Sequence, residues 1–210
     1  MLTKKQIAEV LETIEEMFPE AHCELHHKNP LELVIAVVLS AQCTDALVNK
    51  VTPHLFAKYP DLEDYLAAPI EEIEETIRSI GLYRNKAKFI KQLTAMIATE
   101  FAGTVPHTME ELMRLPGVGR KTANVVLSEA FGVPAIAVDT HVERVSKRLG
   151  FCKENATVLE VEQALMKKIP KSAWSATHHR LIFFGRYHCK AQRPRCEECQ
   201  LQKRCYFYTR

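Results

Sequence analysis

Four cysteines, Cys189, Cys196, Cys199 and Cys205, follow a C-x6-C-x2-C-x5-C spacing in a chain of 210 residues. Four thiolates at one locus can hold zinc or an iron–sulfur cluster. Zinc sites usually come as two tight pairs, and here only the middle gap is tight. The 17 residues from Cys189 to Cys205 fit a larger guest, such as a [4Fe–4S] cube with one corner per cysteine. Two disulfides are the competing reading of the same residues. The stretch from Arg180 to Arg210 also carries eight Lys or Arg but only two acids, Glu197 and Glu198. Lys190, Arg193, Arg195, Lys203 and Arg204 surround the cysteines, which points to a basic loop held in shape for phosphate contact.

A second concentration of chemistry lies at Leu115-Pro116-Gly117-Val118-Gly119-Arg120-Lys121. Two glycines around a small apolar residue make a tight turn whose backbone N–H groups point outward. With the start of the following helix they form an anion site suited to a DNA phosphate, which reads backbone and not sequence. Lys121 falls in the first turn of that helix, where the macrodipole disfavours a cation. Partial desolvation would further favour the free amine that a Schiff-base nucleophile needs. A phosphate-contacting lysine is the plainer role. Asp139 follows the apolar lead-in Ala135 to Val138. Thr140 and Glu143 read as a capping box, which would leave Asp139 to point elsewhere. His141 is a candidate phosphate contact.

The elements that position these residues read as helices nearly throughout. Ile7, Val10, Leu11, Ile14, Met17 and Phe18 recur at steps of three and four, as do Ile70, Ile73, Ile77 and Ile80, with Gly81 as the expected stop. Leu31 to Leu39 is short and β-branched; flanked by helices, it is assigned as a helix. Phe89 to Ile97, Leu112 to Leu115, Val125 to Phe131, Val138 to Leu149 and Val158 to Ile169 complete the set, joined by Pro- or Gly-marked connections. The pattern predicts a compact all-α protein. An apolar content of 47% suffices for a core, and no run of eighteen apolar residues could span a membrane. Seven cysteines without an export signal point to a reducing, cytosolic setting. The net charge of +2 hides an asymmetry: Asp61 to Glu75 holds seven acids and no base, whereas the last thirty residues are basic, so the chain can bind a polyanion.

LPGVGRKTANVVL, then VDTHVERVSKRLG, then C-x6-C-x2-C-x5-C resemble, in that order, the helix–hairpin–helix DNA glycosylases with an iron–sulfur cluster, and most closely the bacterial endonuclease III family. The resemblance runs over essentially the whole chain. It implies an all-α, two-lobed fold: residues 22–133 as a six-helix lobe with the hairpin, residues 1–21 and 134–210 as the cluster lobe, and DNA in the cleft between them. It implies a monomer acting in the bacterial cytoplasm and nucleoid on duplex DNA with oxidised pyrimidines or abasic sites. Lys121 would attack C1′ of the flipped nucleotide and cleave by β-elimination, with Asp139 stabilising charge on the sugar or deprotonating Lys121. Cys189, Cys196, Cys199 and Cys205 would hold a [4Fe–4S] cluster. Gln42 and Leu82 would fill the gap left by the flipped base. Pro116, Gly117, Val118, Gly119, His141, Lys190 and Arg193 would complete the DNA contacts. An adenine glycosylase of the same superfamily would share the cysteines and Asp139 but lacks a lysine at the Lys121 position and typically carries a further C-terminal domain. A non-catalytic iron–sulfur DNA-binding or electron-transfer protein would leave Lys121 and Asp139 without a task.

Overall fold

The computed structural model describes residues 1–209; Arg210, the last of the eight basic residues of the C-terminal stretch, lies outside them. Among the described residues there is no strand, and no helix is long and apolar enough to cross a membrane. The chain divides into two compact units, residues 23–133 and residues 1–22 with 134–210.

The first unit is built on α2 (Pro30–Leu39). Asn29 caps its start by accepting from Glu32 N–H, and Pro30 presets the first turn. Every residue from Leu33 to Leu39 is buried, which is why its sequence is apolar all round and shows no helical period. Helices α3 (Asp45–Lys58), α6 (Tyr83–Glu100) and α8 (Arg120–Phe131) pack on it. The short helices α4 (Leu62–Ala67), α5 (Ile70–Thr76) and α7 (Met109–Leu112) fill the flanks against α6 and α8. Ile73, Ile77 and Ile80 are buried as their spacing predicts, but α5 ends at Thr76. Gly81 is not the left-handed stop; that conformation falls on Leu82, at φ 60°. Two lysines of α6 face inward. Lys91 donates to the carbonyls of Tyr65, Leu66 and Ala68 at 2.7–2.9 Å, capping the end of α4. Lys86 does the same for Leu39 at the end of α2, at 2.9 Å.

The second unit gathers α1 (Lys4–Met17), α9 (Thr140–Leu149), α10 (Val158–Lys168) and α11 (Trp174–Phe183) around Ile7, Val10, Ile14, Val142, Val145, Leu149, Phe151, Val161, Leu165 and Phe184. Burying each such side chain contributes roughly 1.5–3 kcal/mol before conformational entropy is counted. α11 runs on into a π turn, Phe184–His188, that delivers the chain to Cys189. Arg180 pairs with Glu15 and Arg204 with Glu9, fastening α11 and the cysteine loop to α1.

The turn before α8 depends on one glycine. Val118 N–H donates to Leu115 C=O at 3.0 Å, and Gly117 between them has φ +81°. A Cβ there would meet the Phe89 side chain at 3.0–3.1 Å. Gly117→Ala is therefore expected to lower unfolding free energy by about 1–2 kcal/mol, the cost of the left-handed conformation for an L side chain. Denaturant unfolding checks this; an unchanged midpoint would mean that the turn relaxes freely.

Candidate DNA-repair site

Lys121 stands in the first turn of α8, exposed to solvent. The helix opens on Gly119 with no side-chain cap and no acid in its first turn. No side chain caps this helix start, the position at which a helix can meet an anion. Lys121 is not desolvated by its own surroundings, so any exclusion of water must come from what binds. The hairpin also differs in detail from the sequence reading. Val118 is buried and its N–H is used within the turn, and Pro116 has no N–H. Neither backbone nitrogen can serve a phosphate, which leaves Gly117, Gly119 and the start of α8 for that purpose.

Asp139 is the N-cap of α9, not a residue freed by Thr140. Its Oδ1 accepts from the N–H groups of His141 (2.9 Å) and Val142 (2.8 Å), and its Oδ2 lies 2.9 Å from His141 Nδ1. Glu143 turns instead to Lys147, at 2.6 Å. The capping box fails because aspartate one residue earlier is itself a preferred cap and reaches two N–H groups. Burial alone would raise the Asp139 pKa. The His141 and Val142 hydrogen bonds and the neighbouring His141 and His178 rings outweigh it, bringing the carboxyl down to about 2. The group is a fixed anion at neutral pH and a weak proton acceptor. His141, with one ring nitrogen committed to Asp139, keeps Nε2 for a further partner. Gly185, in the π turn, lets this first turn seat: a Cβ there would lie 2.9 Å from His141 Cβ and 3.1 Å from Val145.

Cys189, Cys196, Cys199 and Cys205 line one cavity together with Leu149, Phe184, Pro194, Phe207 and Tyr208. All four thiols are free, which disposes of the disulfide reading. Burial, followed by repulsion from the other cysteines, pushes the thiols of Cys196 and Cys199 up. Among the described residues no three Cys, His, Asp or Glu close around a single ion; the thiols ring a space instead. Arg148 secures the loop, with one guanidinium nitrogen 2.7 Å from Lys190 C=O and 3.4 Å from Cys189 Sγ, and its plane 4.4 Å from the Phe207 ring. Lys190 and Arg193 are exposed, and Arg193 is held at φ 49°. Arg204, expected among the phosphate contacts, is occupied by Glu9.

Gln42 and Leu82 share a feature. Both are exposed, and both have left-handed backbones, φ 54° and 60°. Leu82 is 57% exposed, so it is no helix-end hydrophobic contact. Sequence reasoning missed Lys86, Arg148 and Gly185. Lys86 could have been found, since it continues the buried stripe Ile90, Leu93, Ile97 at helical spacing, where a lysine is out of place.

The sequence pattern of the HhH-GPD superfamily of base excision DNA repair proteins matches residues 35–171. Endonuclease III of Bacillus subtilis (strain 168) is 67% identical over 205 residues, covering 98% of this chain and 94% of that protein. Endonuclease III of Escherichia coli (strain K12) is 41% identical over 206 residues, covering 98% and 97%. The structure of a trapped covalent endonuclease III–DNA intermediate, an estranged-adenine complex, superposes with a TM-score of 0.97 at 66% identity, covering 100% of this chain and 98% of that one. On these grounds the chain belongs to the endonuclease III family of helix–hairpin–helix base excision repair proteins.

Proposed function

We propose that this protein removes oxidised pyrimidines from duplex DNA and then cuts the strand, with Lys121 as nucleophile and Asp139 as the fixed charge beside the sugar. Family membership makes it a base excision repair enzyme with DNA glycosylase and abasic-site lyase activities. The observation that carries the assignment of Lys121 is its position: an exposed amine at a helix start without a side-chain cap, directly behind the tight Gly117 turn. The capture of a 66% identical relative in a covalent intermediate with DNA supports a covalent route.

The target base must leave the stack before any side chain can reach C1′. Gly117, Gly119 and the start of α8 hold the backbone, and Lys190 and Arg193 add positive charge. Leu82 wedges into the stack and Gln42 offers its amide to the orphaned partner. Lys121 Nζ, once its ammonium has given a proton to water, donates its lone pair to C1′ as the bond to the base breaks, and the base departs with that electron pair and takes a proton from the nitrogen that has attacked. Asp139 stabilises the positive charge developing on the sugar. Opening of the sugar ring gives an imine between Lys121 and C1′. The imine acidifies the C2′ proton, whose loss expels the 3′ phosphate, and water releases Lys121. The depressed pKa favours the electrostatic over the proton-accepting role for Asp139.

Cys189, Cys196, Cys199 and Cys205 fit a [4Fe–4S] cluster, since the four free thiols line one cavity together while, among the described residues, no three potential ligands group around a single ion. Bound there, the cluster supplies cross-linking of a loop that has little core of its own. The protein acts as a monomer in the bacterial cytoplasm and nucleoid.

Lys121→Gln is expected to abolish excision and cleavage while affinity for an abasic duplex stays within about threefold, because the phosphate contacts persist. Normal β-elimination by the variant would assign the nucleophile elsewhere. Asp139→Asn keeps a good cap and removes the charge. It should slow excision about 10²–10³-fold, the usual loss for one electrostatic stabiliser, and by the same factor from pH 5 to 8. A carboxyl with its pKa near 2 is ionised throughout that range. A factor that shrinks toward pH 5 would mean that Asp139 titrates there and serves as the base. Purified protein should carry about four irons and absorb in the visible, and Cys199→Ser should lose both iron and the fold of the C-terminal loop. Stoichiometric zinc in colourless protein would overturn the cluster.

A further inference from the structure

Lys86 is 3% exposed and has no part in the chemistry assigned above. Its placement is specific. The last four carbonyls of α2 are all satisfied, each differently. Ser40 N–H serves Ala36 (2.9 Å), Ser40 Oγ serves Val37 (2.8 Å) and Ala41 N–H serves Val38 (3.3 Å). The fourth, Leu39, accepts from Lys86 Nζ across to α6 at 2.9 Å. The next bond along the chain, Cys43 N–H to Ser40 C=O at 3.0 Å, closes the turn that holds Gln42 at φ 54°. At its other end Lys86 belongs to the first turn of α6: its N–H donates to Leu82 C=O at 3.1 Å, and Leu82 is the residue at φ 60°. One side chain therefore ties the base of one left-handed loop to the base of the other.

The choice of lysine is informative. A buried ammonium is costly, and here burial pushes its pKa down. The negative end of α2 and the Leu39 carbonyl offset that cost. A flexible four-carbon stem with a single charged tip fixes the distance between two elements where an apolar residue would only fill the space. Left-handed residues outside glycine persist only where their surroundings over-determine them, and Lys86 is a contact that both loops share.

We propose that Lys86 is a positioning residue that locks the Gln42 and Leu82 loops into one rigid wedge, so that the two side chains enter the duplex together. The inference rests on the wedge roles given to Gln42 and Leu82 above. Its test compares single-turnover excision of an oxidised pyrimidine with cleavage at a preformed abasic site in the same duplex. The variants are Lys86→Met, Lys86→Arg, Gln42→Ala, Leu82→Ala and each double variant with Lys86→Met, all assayed at a temperature where far-UV circular dichroism shows them folded. Lys86→Met should slow excision from the stacked site about tenfold while abasic cleavage changes less than about threefold, since the abasic site needs little extrusion. Lys86→Arg, which can still donate to Leu39, should recover most of the loss. In the Gln42→Ala and Leu82→Ala backgrounds the effect of Lys86→Met should shrink, because the wedge it holds is already broken. If Gln42→Ala and Leu82→Ala slow both substrates equally, the wedge reading itself fails. If those two discriminate as expected but Lys86→Met slows both substrates alike, or adds its full effect in their backgrounds, Lys86 is only a structural cap and the proposal is overturned.

Discussion

The first turn of α9 is the constraint on which the proposed chemistry depends. Three hydrogen-bonding contacts, from two backbone N–H groups and the His141 ring, converge on the Asp139 carboxylate at 2.8–2.9 Å. They keep it ionised despite its burial. A carboxylate so restrained costs little reorganisation when positive charge develops nearby, which is the requirement for electrostatic stabilisation. The same contacts make it a poor base, so the proposed reaction leaves deprotonation of the nucleophile to water. The rest of the second unit serves this turn: Val142 and Val145 anchor the helix in the core, and Gly185 makes room for it by having no side chain.

Helix starts recur at each place the proposed reaction needs. α8 opens behind the hairpin without a side-chain cap, where the proposed phosphate contact lies. α9 opens on an internal anion, Asp139. α6 opens on a strained leucine that no cap stabilises. One local geometry, four N–H groups without helical partners, is thus put to three uses according to the residue that stands before it. That economy accounts for the concentration of proposed function in three short segments while the helices between them are ordinary core.

Much of this was legible in the sequence because it rests on local signals. The helical period located α9 and α10 within a residue or two, and the apolar run of α2 was correctly assigned from its neighbours. The four cysteines and the Gly117 turn announced themselves by type and spacing. What was misread depended on competition between adjacent residues. Asp139 and Thr140 are both good caps, and sequence cannot say which wins. Gly81 and Leu82 both stand at the end of an apolar stripe, and the left-handed conformation fell on the leucine. Arg204 looked like a DNA contact until α1 brought Glu9 against it, a pairing across nearly the whole chain. Lys86 belongs to the same class: its partner is 47 residues away, and only its intrusion into an apolar stripe hinted at a role.

The proposed reaction requires Lys121 Nζ to become bonded to DNA. The most direct measurement is to trap the protein on abasic duplex with borohydride, digest the adduct and locate the modified residue by mass spectrometry. A single deoxyribose remnant on the peptide containing Lys121 is the expected result. A remnant on another lysine or on the N-terminal amine, with Lys121 unmodified, would contradict the assignment and with it the role given to the uncapped start of α8.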